Sequence, residues 1–265
     1  SGIINLVSIL PSNYEDEVLA DCTDDLNRAA TGFDSGLEDT KLALTAISDD
    51  GFVVETKSAY APEMLTAFIK LNGATVGVVA NRTKVYDDNM EVVAEYEPKL
   101  TANGCDKAAQ FVYFCDDFSI PVLTLTNATG FKACKCQEKR GAKATARLTY
   151  AFASATVPKV NVIIGEAFGS AYVTMNSKSI GADMVFALPT AKVGMMDANA
   201  AAKIMYAKEI EEDASVLAEK TAEYAQLQGS VTKAASRGYV DNIVEPVDVR
   251  KYVIGALEML YTKRQ

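Results

Sequence analysis

The chain has no histidine among its 265 residues. This absence excludes Ser-His-Asp and Cys-His nucleophile activation, imidazole general bases and the commonest zinc and iron ligand sets. Chemistry in this chain must therefore use backbone donors, carboxylates, lysines, tyrosines, or a substrate or cofactor that supplies its own base.

Positive charge and long apolar runs are also scarce. Lys and Arg number 26 against 35 Asp and Glu, which gives a net charge of −9. Nucleic-acid binding needs a concentrated basic face, so no nucleic-acid partner is expected. No apolar run is long enough to cross a bilayer, and the start of the chain lacks the basic flank and cleavage pattern of a signal peptide. These features predict a cytoplasmic protein.

The five cysteines have no disulfide-framework spacing, and their odd number is typical of a reducing compartment. They are Cys22, Cys105, Cys115, Cys134 and Cys136. The pair Cys134 and Cys136 has no second pair to complete a zinc site, so two loop thiols and no metal are expected.

The first fifty residues predict an N-terminal helix followed by an acidic connector. Residues 3–10 are apolar and end at Pro11, which predicts the helix. From Glu15 to Asp50, eleven acids stand against two bases, which predicts an exposed run with one short helix near Leu44. Residues 51–265 are expected to form the main domain.

Strand and helix signals alternate after Gly51. Asn72-Gly73 predicts a two-residue hairpin turn, and residues 87–98 an irregular exposed excursion. Apolar periodicity beyond Cys105 predicts the following elements: helix 108–118, strand 120–126, helix 141–155, strand 160–164, helix 169–178, strand 184–188, and helices 198–207, 210–227 and 247–261. This order predicts an α/β fold with largely parallel strands and ligands at their carboxyl ends.

The stretch from Pro158 to Lys178, PKVNVIIGEAFGSAYVTMNSK, is the candidate site. A short buried strand, ended by Gly165, leads into a helix that opens at Gly169-Ser170-Ala171. The first N–H groups of a helix have no partner within it and lie at the positive end of its dipole. Such donors can stabilise the oxyanion of an enolate. The alternative is an ordinary turn packed with small residues.

Two other features stand near this stretch. A basic group could attract a carboxylate, a phosphate or an acidic partner, or could be a solvated loop and helix start. It consists of Lys132, Lys135, Lys139, Arg140 and Lys143. Methionine usually fills core gaps, so a set of five is assigned to packing. This set is Met175, Met184, Met195, Met196 and Met205.

Four runs together resemble the C-terminal half of the carboxyltransferase subunit of biotin-dependent acyl-CoA carboxylases and decarboxylases. They are VGVVANRT, KAAQFVYFCDDFSIPVLTLTNATGF, TYAFASATVPKVNVIIGEAFGSAYVTMNSKSIGADMVFALPTAKVGMM and RGYVDNIVEP. The resemblance covers nearly the whole chain. It implies a single-domain, crotonase-like fold of stacked β-β-α units, and an activity that needs no histidine because the biotin ureido group acts as the base.

By this resemblance, the Ser170 and Ala171 N–H groups form an oxyanion hole for the biotin ureido oxygen. Gly130, Phe131 and Gly169 shape the same biotin pocket. Two further residues, Tyr172 and Val173, stand where the family forms the acyl pocket. Thr129, Ser170 and Leu188 depart from the family's usual proline, glycine and tryptophan, and the loop before Gly141 is about five residues shorter than the pattern.

The resemblance also implies partners. The family binds carboxybiotin on a biotin carboxyl carrier protein and holds the acyl-CoA largely in an N-terminal half that this sequence lacks. A biotin carboxylase or a membrane decarboxylase subunit, and a homo-oligomer, are expected as well. The acyl group could be of the acetyl-, propionyl/methylmalonyl- or glutaconyl-CoA type. Two alternatives remain: a single-domain crotonase-type hydratase or isomerase with Glu166 as the acid closest to the turn, and a non-catalytic assembly subunit.

Overall fold

The apolar runs after Gly51 form the strands of one mixed eight-stranded sheet. The computed structural model describes residues 2–13, 16 and 21–263. The strands are β1 Val53–Thr56, β2 Met64–Leu71, β3 Ala74–Asn81, β4 Lys84–Tyr86, β5 Val92–Glu95, β6 Lys99–Leu100, β7 Val122–Ala128, β8 Gly130–Phe131, β9 Lys159–Phe168, β10 Met184–Ala187, β11 Lys192–Gly194 and β12 Asn242–Ile243. The helices are α1 Gly2–Val7, α2 Thr40–Ile47, α3 Ala102–Asp117, α4 Lys135–Ser154, α5 Gly169–Thr174, α6 Ala198–Met205, α7 Ala207–Glu212, α8 Val216–Gln228, α9 Val231–Ser236 and α10 Val249–Met259.

The strand order of the main sheet is β1, β2, β3, β7, β9, β10, β12, and β11 pairs with the end of β9. β1, β2 and β3 are antiparallel neighbours, whereas β3, β7, β9, β10 and β12 run parallel. Asn72 and Gly73 both have positive φ, 52° and 75°, as a type I′ hairpin turn requires. The predicted hairpin and the predicted α/β class are therefore confirmed.

Helices cover both faces of the sheet, and strand alternation assigns each side chain to a face. Leu65 and Ile69 of β2 pack in a cluster with residues of α2 and α10. Met64 and Phe68 of the same strand pack in a second cluster with residues of α3 and α4. The parallel strands are therefore apolar on both sides, as their continuous hydrophobic runs indicated.

The segment before β1 packs against the sheet instead of extending over the surface. Phe33, Leu44 and Ile47 are fully buried. Asp49 is buried as well, and its carboxylate accepts hydrogen bonds from Arg250 Nη2 and the Gly73 N–H, both at 2.8 Å. The expectation of an exposed acidic connector is wrong for the buried Asp39 and Asp49, which have specific partners, whereas Asp21, Asp25 and Asp34 are exposed as expected. Residues 14, 15 and 17–20 of that connector lie outside the described residues.

Several element boundaries differ from the sequence-based expectations. β9 continues past Gly165 to Phe168, because its last three residues pair with β11. α5 ends at Thr174, and Asn176, with φ +52°, cannot continue a right-handed helix. Residues 87–98 contain β5, which pairs with β4, and residues 210–227 divide into α7 and α8.

α4 begins at Lys135, six residues earlier than expected. The basic residues after Phe131 therefore lie mainly on a helix. Cys136 falls in the first turn of this helix, so the expectation of a loop residue is wrong there, whereas Cys134 is the extended N-cap residue that precedes the helix. Within the described ranges, no cluster of three or more Cys, Asp or Glu is placed to hold a metal ion. No described helix is both long and apolar enough to cross a membrane.

Candidate functional site

The candidate site is the turn from β9 into α5 at the carboxyl edge of the parallel strands. The N-cap residue, Phe168, is extended, and no side chain caps the helix. Gly169 follows with φ +59°, and a Cβ atom there would lie 2.9 Å from the Met195 carbonyl oxygen. The turn therefore requires glycine for both its backbone conformation and its close contact with residue 195.

The first turn of α5 presents backbone donors without helical acceptors. The N–H groups of Gly169, Ser170 and Ala171 belong to the set that a helix leaves unpaired at its start. Ser170 is exposed, whereas Ala171 is 1% exposed and packs into the core. The helix is thus anchored by Ala171, and its first turn has no side-chain cap.

The structure brings Gly130 and Phe131 to this turn. They form β8, which contacts α5 and pairs in parallel with β6. A Cβ atom built on Gly130 would meet nothing within 4 Å, and the Phe131 ring is 40% exposed. Open space and an exposed aromatic ring therefore lie beside the helix start, so the residues expected to form a biotin pocket are neighbours.

The next two residues of α5 have different surroundings. Tyr172 is buried with Val193, Val231 and Val240, and its hydroxyl has no hydrogen-bond partner among the described residues. Burial raises the pKa of Tyr172 to about 12. Val173 is only half-buried. Tyr172 therefore belongs to the core behind the turn, and Val173 is the more accessible of the two expected acyl-pocket residues.

A β-bulge next to Asn127 sets the position of the turn. The pairing of β7 with β9 shifts register between Thr126 and Ala128. At this point Asn127 Oδ1 accepts the Glu166 N–H at 3.1 Å, and the Asn127 N–H donates to Asn81 Oδ1 at 2.9 Å. These bonds satisfy backbone groups that the bulge removes from the ladder. The sequence analysis did not identify Asn127, although an asparagine at the end of an apolar strand is a usable signal.

Buried polar side chains hold the far end of α5. Asn161 of β9 donates through Nδ2 to the Met175 carbonyl oxygen at 3.3 Å. Thr126 donates to Asn161 Oδ1 at 2.8 Å. Hydrogen bonds between buried groups are costly to break, so this network fixes α5 against β7 and β9. The sequence analysis did not identify Thr126 or Asn161 as supporting residues.

The two remaining features near the turn are a charge pair and exposed methionines. Glu166 Oε1 accepts from Lys192 Nζ at 3.1 Å, across the β9–β11 pairing. Met195 is 81% exposed, and Met196 and Met205 are exposed as well. The assignment to packing is wrong for these three methionines, because their side chains are exposed.

Comparisons with known proteins agree on one family. The model of the carboxyl transferase domain matches residues 1–265. The methylmalonyl-CoA carboxyltransferase 12S subunit of Propionibacterium freudenreichii subsp. shermanii is 38% identical over 231 residues, 86% of this chain and 42% of that protein. The methylmalonyl-CoA decarboxylase subunit alpha of Veillonella parvula is 36% identical over 98% of this chain and 50% of its own length.

The fold comparison gives the same result. A crystal structure of the transcarboxylase 12S hexamer, with hydrolysed methylmalonyl-CoA bound, superposes with a TM-score of 0.88 at 34% identity. The superposition covers 100% of this chain and 51% of the 12S chain. It confirms the expected crotonase-like fold. The chain spans about half the length of the relatives it matches. With its whole length matched by the family model, the chain belongs to the carboxyl transferase domain family.

Proposed function

We propose that this chain is the biotin-side half of an acyl-CoA carboxyltransferase. The observation that carries the proposal is the uncapped start of α5, with Gly130 and Phe131 beside it. Backbone donors held in a fixed position stabilise a developing oxyanion without reorganisation. In this proposal the Ser170 and Ala171 N–H groups donate to the ureido oxygen of biotin, and Gly169 allows the turn that points them outward.

The chemical groups at the turn match those of biotin. The ureido oxygen needs donors, which α5 provides, and the apolar ring system needs an apolar contact, which the exposed Phe131 ring provides. When bound, carboxybiotin supplies the carboxyl group and, after its release, a ureido base. This role for biotin agrees with a chain that has no histidine.

The proposal includes an N-terminal half that binds the acyl-CoA, because the chain spans about half of its relatives. A biotin carboxyl carrier protein would deliver the carboxybiotin, and a biotin carboxylase or a membrane decarboxylase subunit would complete the complex. Relatives named for methylmalonyl-CoA and propionyl-CoA support a short acyl-CoA as the substrate. The half-buried Val173 would contact its acyl group, with Tyr172 packed behind. A homo-oligomer is proposed from the hexamer of the similar 12S structure.

A hydratase or isomerase with Glu166 as its base has less support. Glu166 is paired with Lys192, and its N–H is held by Asn127. A base at this position would first have to release its carboxylate from Lys192.

Two substitutions of Ser170 test the proposed oxyanion hole. Ser170→Pro removes one N–H donor at an exposed position of the first helical turn, where proline is tolerated. Carboxyl transfer by the chain combined with an N-terminal half should fall by about 10²-fold to 10³-fold, as expected for the loss of one oxyanion donor. The control, Ser170→Gly, keeps the donor and should retain activity within about twofold.

The result is interpretable only if the proline variant folds, which its circular dichroism and melting temperature would establish. Near-normal transfer by a folded Ser170→Pro variant would reject the proposed site. A large loss with Ser170→Gly would instead assign the role to the hydroxyl group.

A further inference from the structure

Four lysines at the start of α4 form an exposed basic surface, the α4 lysine stripe: Lys132, Lys135, Lys139 and Lys143. Residues 131–147 contain six basic residues and one acid, a net charge of +5. The whole chain carries −9, so the rest of it carries −14. The stripe is therefore a positively charged surface on a protein that is otherwise negatively charged.

The arginines and the lysines of this helix have different environments. Arg140 and Arg147 both pair with Asp106 of α3, at 3.1 and 2.9 Å. None of the four stripe lysines makes a side-chain ion pair or hydrogen bond within the part of the chain that the structure describes. The arginines thus have a structural role in joining α4 to α3, which the lysines do not share.

The arrangement of the stripe disfavours the helix itself. Lys135, Lys139 and Lys143 are spaced four residues apart, so their like charges are adjacent on one face, and such pairs destabilise a helix. Lys135 also lies in the first turn of the helix, where the dipole favours acids, and no side chain caps this end. Glu138 in the first turn is the single acid of residues 131–147, so it offsets only part of this repulsion. The excess of like charge on one exposed face indicates interaction with something outside the chain.

The position of the stripe links it to the candidate site. Lys132 directly follows Phe131, and its N–H donates to the Leu100 carbonyl oxygen, which anchors it beside β6. The adjoining strand β8 contacts α5. From Lys135 to Lys143 the stripe extends about 12 Å along the helix axis. An exposed, convex row of this length, next to an exposed aromatic ring, fits the face of a folded domain better than a single phosphate group.

We propose that the α4 lysine stripe docks an acidic face of the biotinylated carrier domain and guides its biotin to the start of α5. This inference rests on the proposed function, since it assumes that biotin is presented at α5 by a carrier. The net charge of −14 on the rest of the chain would repel an acidic domain, and the stripe provides local attraction next to the candidate site. Complementary charge of this kind raises association rates and selects orientation.

The test measures association of the 265-residue chain with an acidic biotinylated carrier domain immobilised on a sensor surface. The stripe variant combines Lys135→Glu, Lys139→Glu and Lys143→Glu. The control variant makes the same change in net charge at exposed lysines remote from the stripe, with Lys203→Glu, Lys208→Glu and Lys233→Glu. Acids near a helix start are favourable, so the stripe variant should melt at or above the temperature of the unmodified chain.

At low salt the stripe variant should associate at least about tenfold more slowly, and the control within about twofold of the unmodified chain. At about 0.5 M salt the difference should disappear, because exposed charges are then screened. Ligand-observed NMR with free biotin, run on the same samples, should show equal binding by all three proteins.

Equal association of the stripe and control variants with the carrier would overturn the docking surface and leave the proposed function intact. A chain that binds neither free biotin nor the carrier would refute the proposed function itself. A stripe variant that loses affinity for coenzyme A and keeps its affinity for the carrier would assign the stripe to nucleotide phosphates, which also contradicts the inference.

Discussion

At the residue scale, the candidate site depends on backbone groups more than on side chains. Ser170 points its side chain to solvent and Ala171 has only a methyl group, yet both place an N–H at the helix start. Gly169 contributes only its conformation, with φ +59°. A site of this kind tolerates a change of side chain as long as the backbone keeps its position. The specific side-chain contacts therefore lie in the β7–β9 bulge that positions the turn.

Tyr172 provides a stability test at this scale. Its buried hydroxyl has no hydrogen-bond partner among the described residues, and a buried unpaired polar group destabilises the folded state. Tyr172→Phe removes the hydroxyl and keeps the ring, so the free energy of unfolding should increase by about 1 kcal/mol. Urea denaturation would measure the change. A decrease would show that the hydroxyl has a partner in solution.

Lys107 provides a pH test. Its side chain is buried on α3, with Nζ donating to the Ala61 carbonyl oxygen at 3.3 Å. Burial, opposed in part by Glu55 and reinforced by Arg82, lowers the pKa of Lys107 from 10.5 to about 8. Between these two values the unfolded chain binds more protons than the folded chain, so stability contributed through this group rises with pH.

The comparison variant is Lys107→Met, which cannot titrate at this position. The free energy of unfolding of the unmodified chain should increase relative to the variant as the pH rises through about 8 toward 10.5. Parallel pH curves for the two proteins would show that the pKa of Lys107 is not lowered by folding.

At the element scale, the bulge between β7 and β9 determines where α5 begins. A Cβ atom on Gly165 would lie 2.7 Å from Asn127 Cγ, and Asn127 cannot move without losing its bond to the Glu166 N–H. The glycine is therefore required for close packing across the bulge. Displacement of Asn127 would shift Glu166 and, three residues later, the start of α5.

Two glycine-to-alanine substitutions compare a glycine in close contact with a neighbouring side chain and a glycine with open space around it. Gly165→Ala should lower the free energy of unfolding by about 1–3 kcal/mol through overpacking, and reduce carboxyl transfer in the combined enzyme. Gly141→Ala, in the middle of α4 with nothing within 4 Å of the new methyl group, should raise stability by about 1 kcal/mol. Thermal and chemical denaturation would measure both changes. A silent Gly165→Ala would mean that the bulge adapts easily.

Elements that depend on local sequence pattern are predictable from the sequence, whereas elements that depend on distant pairing are not. Hydrophobic periodicity and turn residues predicted the hairpin at Asn72-Gly73 and the strand and helix on either side of Gly169, because these elements depend on local sequence pattern. They could not give the continuation of β9 to Phe168, which depends on pairing with the distant β11. Nor could they give the burial of Asp49, whose partner Arg250 is about 200 positions away along the chain.

The site was only partly predictable for the same reason. Gly169, Ser170 and Ala171 were found from the strand-to-helix pattern and the family resemblance, and the structure places Gly130 and Phe131 beside them. Asn127 and Asn161 were missed, since their roles follow from contacts between strands. Tyr172 was assigned to the acyl pocket by resemblance, whereas its side chain packs in the core.

At the scale of the whole molecule, the helices near the end of the chain leave apolar side chains exposed. No residue of α7 or α8, all of them described, is buried, and Ile204, Met205 and Leu227 are more than half exposed in this part of the chain. In the proposed site the start of α5 would provide one set of oxyanion donors, whereas carboxyl transfer has to hold two oxyanions, on biotin and on the thioester enolate. Together with a length about half that of the relatives, these features agree with the proposed N-terminal half.

The most direct measurement of this central claim is a carboxyl-transfer assay with carboxylated biotin carrier and propionyl-CoA, run on the 265-residue chain, on a matching N-terminal half, and on their mixture. Holding both reactants together can account for about 7–11 kcal/mol of a barrier, and this contribution is absent when one half is missing. If the active site needs both halves, either half alone should show negligible transfer and the mixture should restore it. Robust turnover by the 265-residue chain alone would contradict the need for a second half.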